Sequence, residues 1–438
     1  MHSRIIKIEP GMERKLKICL LSYRGNPYCG GQGIYLFYLA RSLAERGHRV
    51  TVLAGPPYPW PMPFARLIPI PDHNFINKPG ASAIPSDNPL AVFKPLDLAE
   101  LCLSRLGVNP EMLAFSLRAY RQIKNMVAQG ERFDIVHDNQ SLGYGLLLIQ
   151  SLGMPVVSTV HHPLQVDRKE DLKQMPELGQ QLKRALYYPL FMQKLVARRL
   201  DRLLTVSRAS KNLIRAWYKI AAEKIEQIPN GVDLDFFRRR PEIEKVPGRM
   251  VFVGSSEDRK KGILYLLRSL KRLNPSAHLA IVDGRLNPQR VYARSLVRQM
   301  GLEQRVIFLE KISREQLVIE YNKAQVAVMP SLFEGFGLPA LEAMACGTAL
   351  LATDAGGLAE VVGEGEDAGG ILVEPGDEQA LADALSRLLA DEALRQKLEH
   401  RGRRRAQSGF GWEKLAERVE LVYNQALGQR RGEHGSQN

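Results

Sequence analysis

Two glutamates eight residues apart, Glu334 and Glu342, bracket the segment Gly335-Phe-Gly-Leu-Pro-Ala-Leu341 in this 438-residue chain. The apolar run Val326–Met329 leads in as a buried strand, and Pro339 suits the start of a helix, where its missing N–H costs nothing. Glycines let backbone approach a ligand, and a helix start offers unpaired N–H groups and a positive dipole end. Such a place holds an anion, most simply a phosphate. A lone acid there would only complement the dipole or face solvent. A second segment, Gly254-Ser-Ser-Glu-Asp-Arg-Lys-Lys-Gly262, sets Arg259, Lys260 and Lys261 between a strand and a helix. Cationic runs are usually solvated, but at a strand end they suit a diphosphate leaving group. A third, Asn26-Pro-Tyr-Cys-Gly-Gly-Gln-Gly33, follows the first strand, and Gly30, Gly31 and Gly33 would let amides meet a phosphate or sugar. GGQG is not the dinucleotide GxGxxG, and no acid closes the next strand. Thr159-Val-His-His-Pro163 puts His161 and His162 at a strand end, and His137-Asp138-Asn139 ends the strand before it. Residues so placed are more often structural than catalytic.

Taken in order, these segments resemble glycosyltransferase family 4, retaining enzymes of the GT-B fold. Glu334 and Glu342 match its Glu-x7-Glu signature, and Ala349–Glu360 is similar to the strand and glycine-glycine turn that follow it. The resemblance implies that Glu334 holds sugar hydroxyls and Glu342 the nucleotide ribose. Phe336, Gly337 and Leu338 would then present amides to sugar and phosphate. Lys261 matches the lysine of the family's Gly-Arg…Lys-Gly phosphate motif. Ser255 stands where the arginine is usual, so Arg259 is expected to supply the guanidinium and Lys260 to matter little. His161, in Thr-x-His, would lie beside the transferred sugar. Gly31 would belong to the donor side; Gly30, Gly33, Asp138, Asn139 and His162 to the acceptor side. Asp233-Leu-Asp235 spells a metal motif of a different glycosyltransferase fold. It lies in Pro-Asn-Gly-Val-Asp, a hinge hallmark of this family, and is read as structural. No metal and no other cofactor is expected.

Strand-length apolar runs alternate with helical patterns along the chain, which implies an α/β protein with parallel sheets covered on both faces. Two such series, parted near 233–248, predict two Rossmann-like domains facing across a cleft. With the roles the resemblance implies, the expected division is an acceptor domain at 1–232, a linker at 233–248 and a nucleotide-sugar domain at 249–409. The resemblance implies that a helix at 410–428 returns to the first domain, and the polar stretch 429–438 is expected to be a flexible tail. Residues 56–110 break the alternation, because Pro56–Phe64 carries too many prolines for a strand or helix.

The apolar share of 45% and charged share of 25% are ordinary for a globular protein. No apolar run reaches the ~18 residues that span a bilayer. Four scattered cysteines and a start with charges mixed into its apolar stretch fit the cytoplasm rather than secretion. The net charge of +14 is lopsided: residues 1–250 hold 36 Lys and Arg against 22 Asp and Glu, residues 251–438 hold 25 of each. The function the resemblance implies is transfer of a hexose from a nucleotide-diphosphate donor, uridine favoured over guanosine on its frequency in the family, to a lipid or envelope-glycan acceptor. A sugar-nucleotide epimerase or phosphorylase of the same fold, or transfer to a soluble saccharide or small metabolite, is the alternative. The basic half, with the proline-aromatic stretch 58–64 and the cation-rich stretch 183–199, also predicts contact with an anionic membrane surface. Nucleic acid is disfavoured for want of any recognisable binding motif.

Overall fold

The structure is a computed structural model that describes residues 14–26, 31–73, 75, 93–173, 177–284 and 291–435. Its strands form two parallel sheets. The first holds β1 (Lys17–Ser22), β2 (Arg49–Ala54), β3 (Arg66–Pro69), β4 (Ile135–Asn139), β5 (Val156–Val160), β6 (Arg202–Thr205) and β7 (Ile225–Gln227), in the order 3-2-1-4-5-6-7. The second holds β8 (Arg249–Val253), β9 (His278–Asp283), β10 (Val306–Glu310), β11 (Val326–Met329), β12 (Ala349–Thr353) and β13 (Gly370–Val373), in the order 10-9-8-11-12-13. In each sheet the strand order reverses beside the first strand, where ligands gather at the carboxyl ends of open parallel sheets. The central strands are buried on both faces, as in Val-Val-Ser-Thr-Val of β5 and Ala-Leu-Leu-Ala-Thr of β12. Their continuous apolar runs follow from helices covering both sides.

The final helix begins at Trp412 and packs on the first sheet, as expected. Leu415, Val419, Val422 and Tyr423 are buried with Leu36, Val52 and Val157. Glu420 receives Arg46 at 2.5 Å and also His48, and the Tyr423 hydroxyl meets His137 Nδ1 at 2.7 Å. The helix runs to Gly435, so the tail expected to be flexible from 429 is helical over most of its length. The described parts of the segment 56–110 are less irregular than its prolines suggest. It contributes β3 and the helix Pro95–Arg105, whose Pro95 occupies the first turn.

Between the sheets lies a cleft of about 610 Å³ lined from both sides. The linker region tethers its rim. Asp233 accepts the Tyr38 hydroxyl at 2.8 Å and the Phe236 amide at 3.1 Å, so the Asp-x-Asp spelling serves the hinge. Among the described residues, no three His, Cys, Asp or Glu side chains gather as metal ligands would.

Candidate active site

On the second domain, two loops at strand ends meet. After β11 the chain turns through Glu334–Gly337 into the helix Leu338–Ala345. Gly337 takes φ +106°, a conformation that favours glycine, and a Cβ there would strike Leu358 at 2.6 Å. After β8, Asp258 caps the short turn Arg259–Lys261 by accepting the Lys260 amide at 3.0 Å. Gly262 at φ +70° then lets the two loops touch, since a Cβ there would lie 1.8 Å from the Pro330 carbonyl. The Leu332 amide donates to the Lys260 carbonyl at 2.7 Å, which fixes their relation. Lys261 Nζ therefore reaches Glu334 Oε2 at 2.5 Å, and both side chains line the cleft.

Phe336, Gly337 and Leu338 line the same wall. Phe336 is buried, its ring edge-on to Phe410 at 5.9 Å. Glu342 lies one turn further in, receiving the Tyr321 hydroxyl at 3.0 Å. Burial pushes its carboxyl up to about 7, against the opposing pull of the Tyr321 hydrogen bond and the Arg314 charge. Arg314 itself lies over the rings of Phe236 at 4.1 Å and Trp60 at 4.8 Å, so it touches both the linker and the first domain.

On the first domain, β4 and β5 present a hydrogen-bonded set. His161 Nε2 meets Asn139 Oδ1 at 2.8 Å, while Asn139 Nδ2 donates to Ser22 Oγ and the Gln32 carbonyl. The amide orientation so assigned makes His161 the donor at Nε2. Its amide also donates to Gln140 Oε1 at 2.6 Å, and its ring packs edge-on to Tyr35 at 5.0 Å. Burial, chiefly, lowers the imidazole to about 3, so it is neutral at physiological pH. Gln140 adopts φ +63°, and the turn around it is held by Asp138. That buried carboxylate accepts from Ser141, Leu142 and Ser158.

The expected residues thus separate. His161, His162, Gly31, Gly33, Lys261, Glu334, Phe336, Gly337, Leu338 and Glu342 line one cleft. Gly30 lies outside the described residues. Gly31 crosses to the other domain, a Cβ there standing 3.1 Å from Leu338, whereas Gly33 is packed against its own loop. Three expectations need correction. Arg259 turns away, its guanidinium 4.7 Å from the Tyr292 ring, and is not among the lining residues; the Asp258 cap directs Lys260 and Lys261 inward instead. Asp138 is consumed in its turn and supports the site from behind. Asn139 also acts from behind, orienting His161. The sequence reading missed Gln140, Asp167 and Arg314, which carry no local motif; the left-handed turn at Gln140 leaves no glycine to mark it.

Two doubly wound domains thus set cations, paired acids and a helix start on one side of a cleft and a histidine on the other. Residues 29–236 match glycosyltransferase family 4, and residues 234–405 match glycosyl transferases group 1. The MMP alpha-(1->4)-mannosyltransferase of Mycolicibacterium hassiacum is 39% identical, over 94% of this chain and 98% of that protein. The O-antigen chain mannosyltransferase RfbU of Salmonella typhimurium is 31% identical over 55% of this chain and 67% of its own. Sucrose-phosphate synthase from Thermosynechococcus elongatus superposes with a TM-score of 0.71 at 26% identity, over 94% of this chain and 100% of that one. The chain belongs to glycosyltransferase family 4 and is a glycosyltransferase of the GT-B fold.

Proposed function

We propose that the protein transfers a hexose from a nucleoside-diphosphate donor to a hydroxyl of a glycan acceptor, with retention of the anomeric configuration. The observation that carries this is the meeting of Lys261, Glu334 and the start of the helix Leu338–Ala345 on one wall, opposite neutral His161. As the bond from the anomeric carbon to the phosphate oxygen breaks, charge grows on the diphosphate. An ammonium and a helix N-terminus aimed there stabilise it. The acceptor oxygen bonds to that carbon from the same face, and its proton passes to a phosphate oxygen. Glu334, released from Lys261 by the phosphate, accepts hydroxyls of the sugar. Glu342 accepts from the ribose. His161, its Nε2 hydrogen spent on Asn139, uses Nδ1 as an acceptor for a sugar hydroxyl and moves no proton.

Mannose is the sugar to test first, because two of the relatives are named mannosyltransferases. The acceptor faces the first domain, where Tyr187, Tyr188, Met112 and Leu164 line the cleft beside Arg24 and Arg184. Such a wall of aromatic faces and polar groups suits stacking against sugar rings. Attachment to an anionic membrane at the cytoplasmic face rests on the charge of the first half and on exposed Phe191, Arg198 and Arg199. A panel of UDP- and GDP-hexoses tests the donor: one or more should raise the thermal midpoint, and wild-type protein indifferent to all of them would refute the reading.

A further inference from the structure

Lys260, the neighbour of Lys261, reaches across the cleft. Its ammonium pairs with Asp167 on the first-domain helix Leu164–Lys173 and stands 3.8 Å from Asp258. Asp167 receives His162 Nε2 on its other oxygen at 3.0 Å. Burial raises the Asp167 carboxyl, but His162 and Lys260 outweigh it and hold the group ionised well below the usual carboxylate range. Lys260, Asp167 and His162 all line the cavity that Lys261 lines. The remaining charges of this loop are committed elsewhere: Arg259 lies over Tyr292, and Ser255 has none. One ammonium is a weak match for a leaving diphosphate. A second on the same rigid turn is the nearest source of charge, and an ammonium with three N–H donors can keep one carboxylate while facing a phosphate oxygen.

We infer that Lys260 is the second cation at the donor diphosphate and that Asp167, from the acceptor domain, is the positioning residue that keeps it there. The charge of the donor site is then completed only when the two domains are together. This rests on the cleft being the nucleotide-sugar site.

The test compares nucleoside diphosphate and monophosphate binding by calorimetry, using UDP and UMP or GDP and GMP as the donor panel directs, with turnover measured alongside. Lys260→Met should weaken diphosphate binding about tenfold and leave monophosphate binding nearly unchanged, whereas Lys260→Arg should keep both. Asp167→Asn should weaken diphosphate binding and turnover together by about threefold, with monophosphate binding nearly unchanged, and Asp167→Glu should restore most of both. An unaltered diphosphate-to-monophosphate ratio in Lys260→Met overturns the inference. So does an Asp167→Asn variant whose diphosphate-to-monophosphate ratio is that of the wild type. Lys261→Ala separates the two levels of the argument. If it too binds diphosphate normally, the reading of the cleft fails; if it alone loses binding, only the role of Lys260 fails.

Discussion

Lys261 and Arg259 are two residues apart and have opposite fates, which the turn between them decides. With Asp258 capping, Lys261 faces Glu334 while Arg259 covers Tyr292. Lys261→Ala should therefore lower turnover by ~100-fold or more, as expected when charge opposite a developing oxyanion is removed. Arg259→Ala should stay near wild type, and a loss comparable to that of Lys261→Ala would show that the arginine swings in. Glu342 makes a pH prediction. Burial pushes its carboxyl up to about 7, above the usual carboxylate range. An acid with a raised pKa binds protons the unfolded chain has lost, so its contribution to stability declines as pH rises from about 4.5 to 7. Donor binding should run the other way, because ribose hydroxyls donate better to the carboxylate. The donor KM should fall between pH 6 and 8, and Glu342→Gln should flatten that trend. A wild-type KM independent of pH would remove Glu342 from the ribose.

At the scale of elements, the cleft works because loops of the two domains approach closely. A Cβ on Gly335 would come 2.9 Å from the His161 carbonyl, which also accepts Ser210 Oγ and so cannot easily yield. Gly335→Ala should fold normally and bind nucleoside diphosphate within roughly twofold of wild type, yet lose about 100-fold in turnover through misplacement of the two walls. Equal losses in binding and turnover would place its effect within the donor loop instead. The elements themselves were readable to the extent that they are buried. β11 matches the sequence reading of Val326–Met329 end to end, because a continuous apolar run bounded by turns leaves little choice. β3 and β7 were not foreseen. Arg66–Pro69 is an edge strand with no fully buried residue, and Ile225–Gln227 offers three residues with one buried. The helical end at 429–435 was missed for the opposite reason, since polar sequence carries no periodic signal.

For the whole molecule, the candidate site divides the same way. The Glu334–Glu342 pair, the lysine turn and the His161 segment are short-range patterns and could be read directly. Asp167 and Lys260 meet across 93 residues, and Gln140 and His161 across 21, so only the folded chain reveals them. The tertiary packing also redirects two stretches that the sequence suggested for a membrane. Tyr187 and Tyr188 line the cleft, and Trp60 and Phe64 pack on Phe37. The remaining case is the charge excess with Arg198 and Arg199. Co-sedimentation with anionic vesicles should show binding that falls with salt and weakens when both arginines become glutamate; no binding at low salt would leave a soluble glycan as the acceptor. The central claim is more directly open to test. Nuclear magnetic resonance of the purified protein with the stabilising nucleotide hexose and a glycan acceptor follows the anomeric signal of donor and product together. The account predicts release of nucleoside diphosphate and a new glycosidic bond of the donor's own anomeric configuration. An inverted product, or a donor that is epimerised rather than transferred, would contradict it.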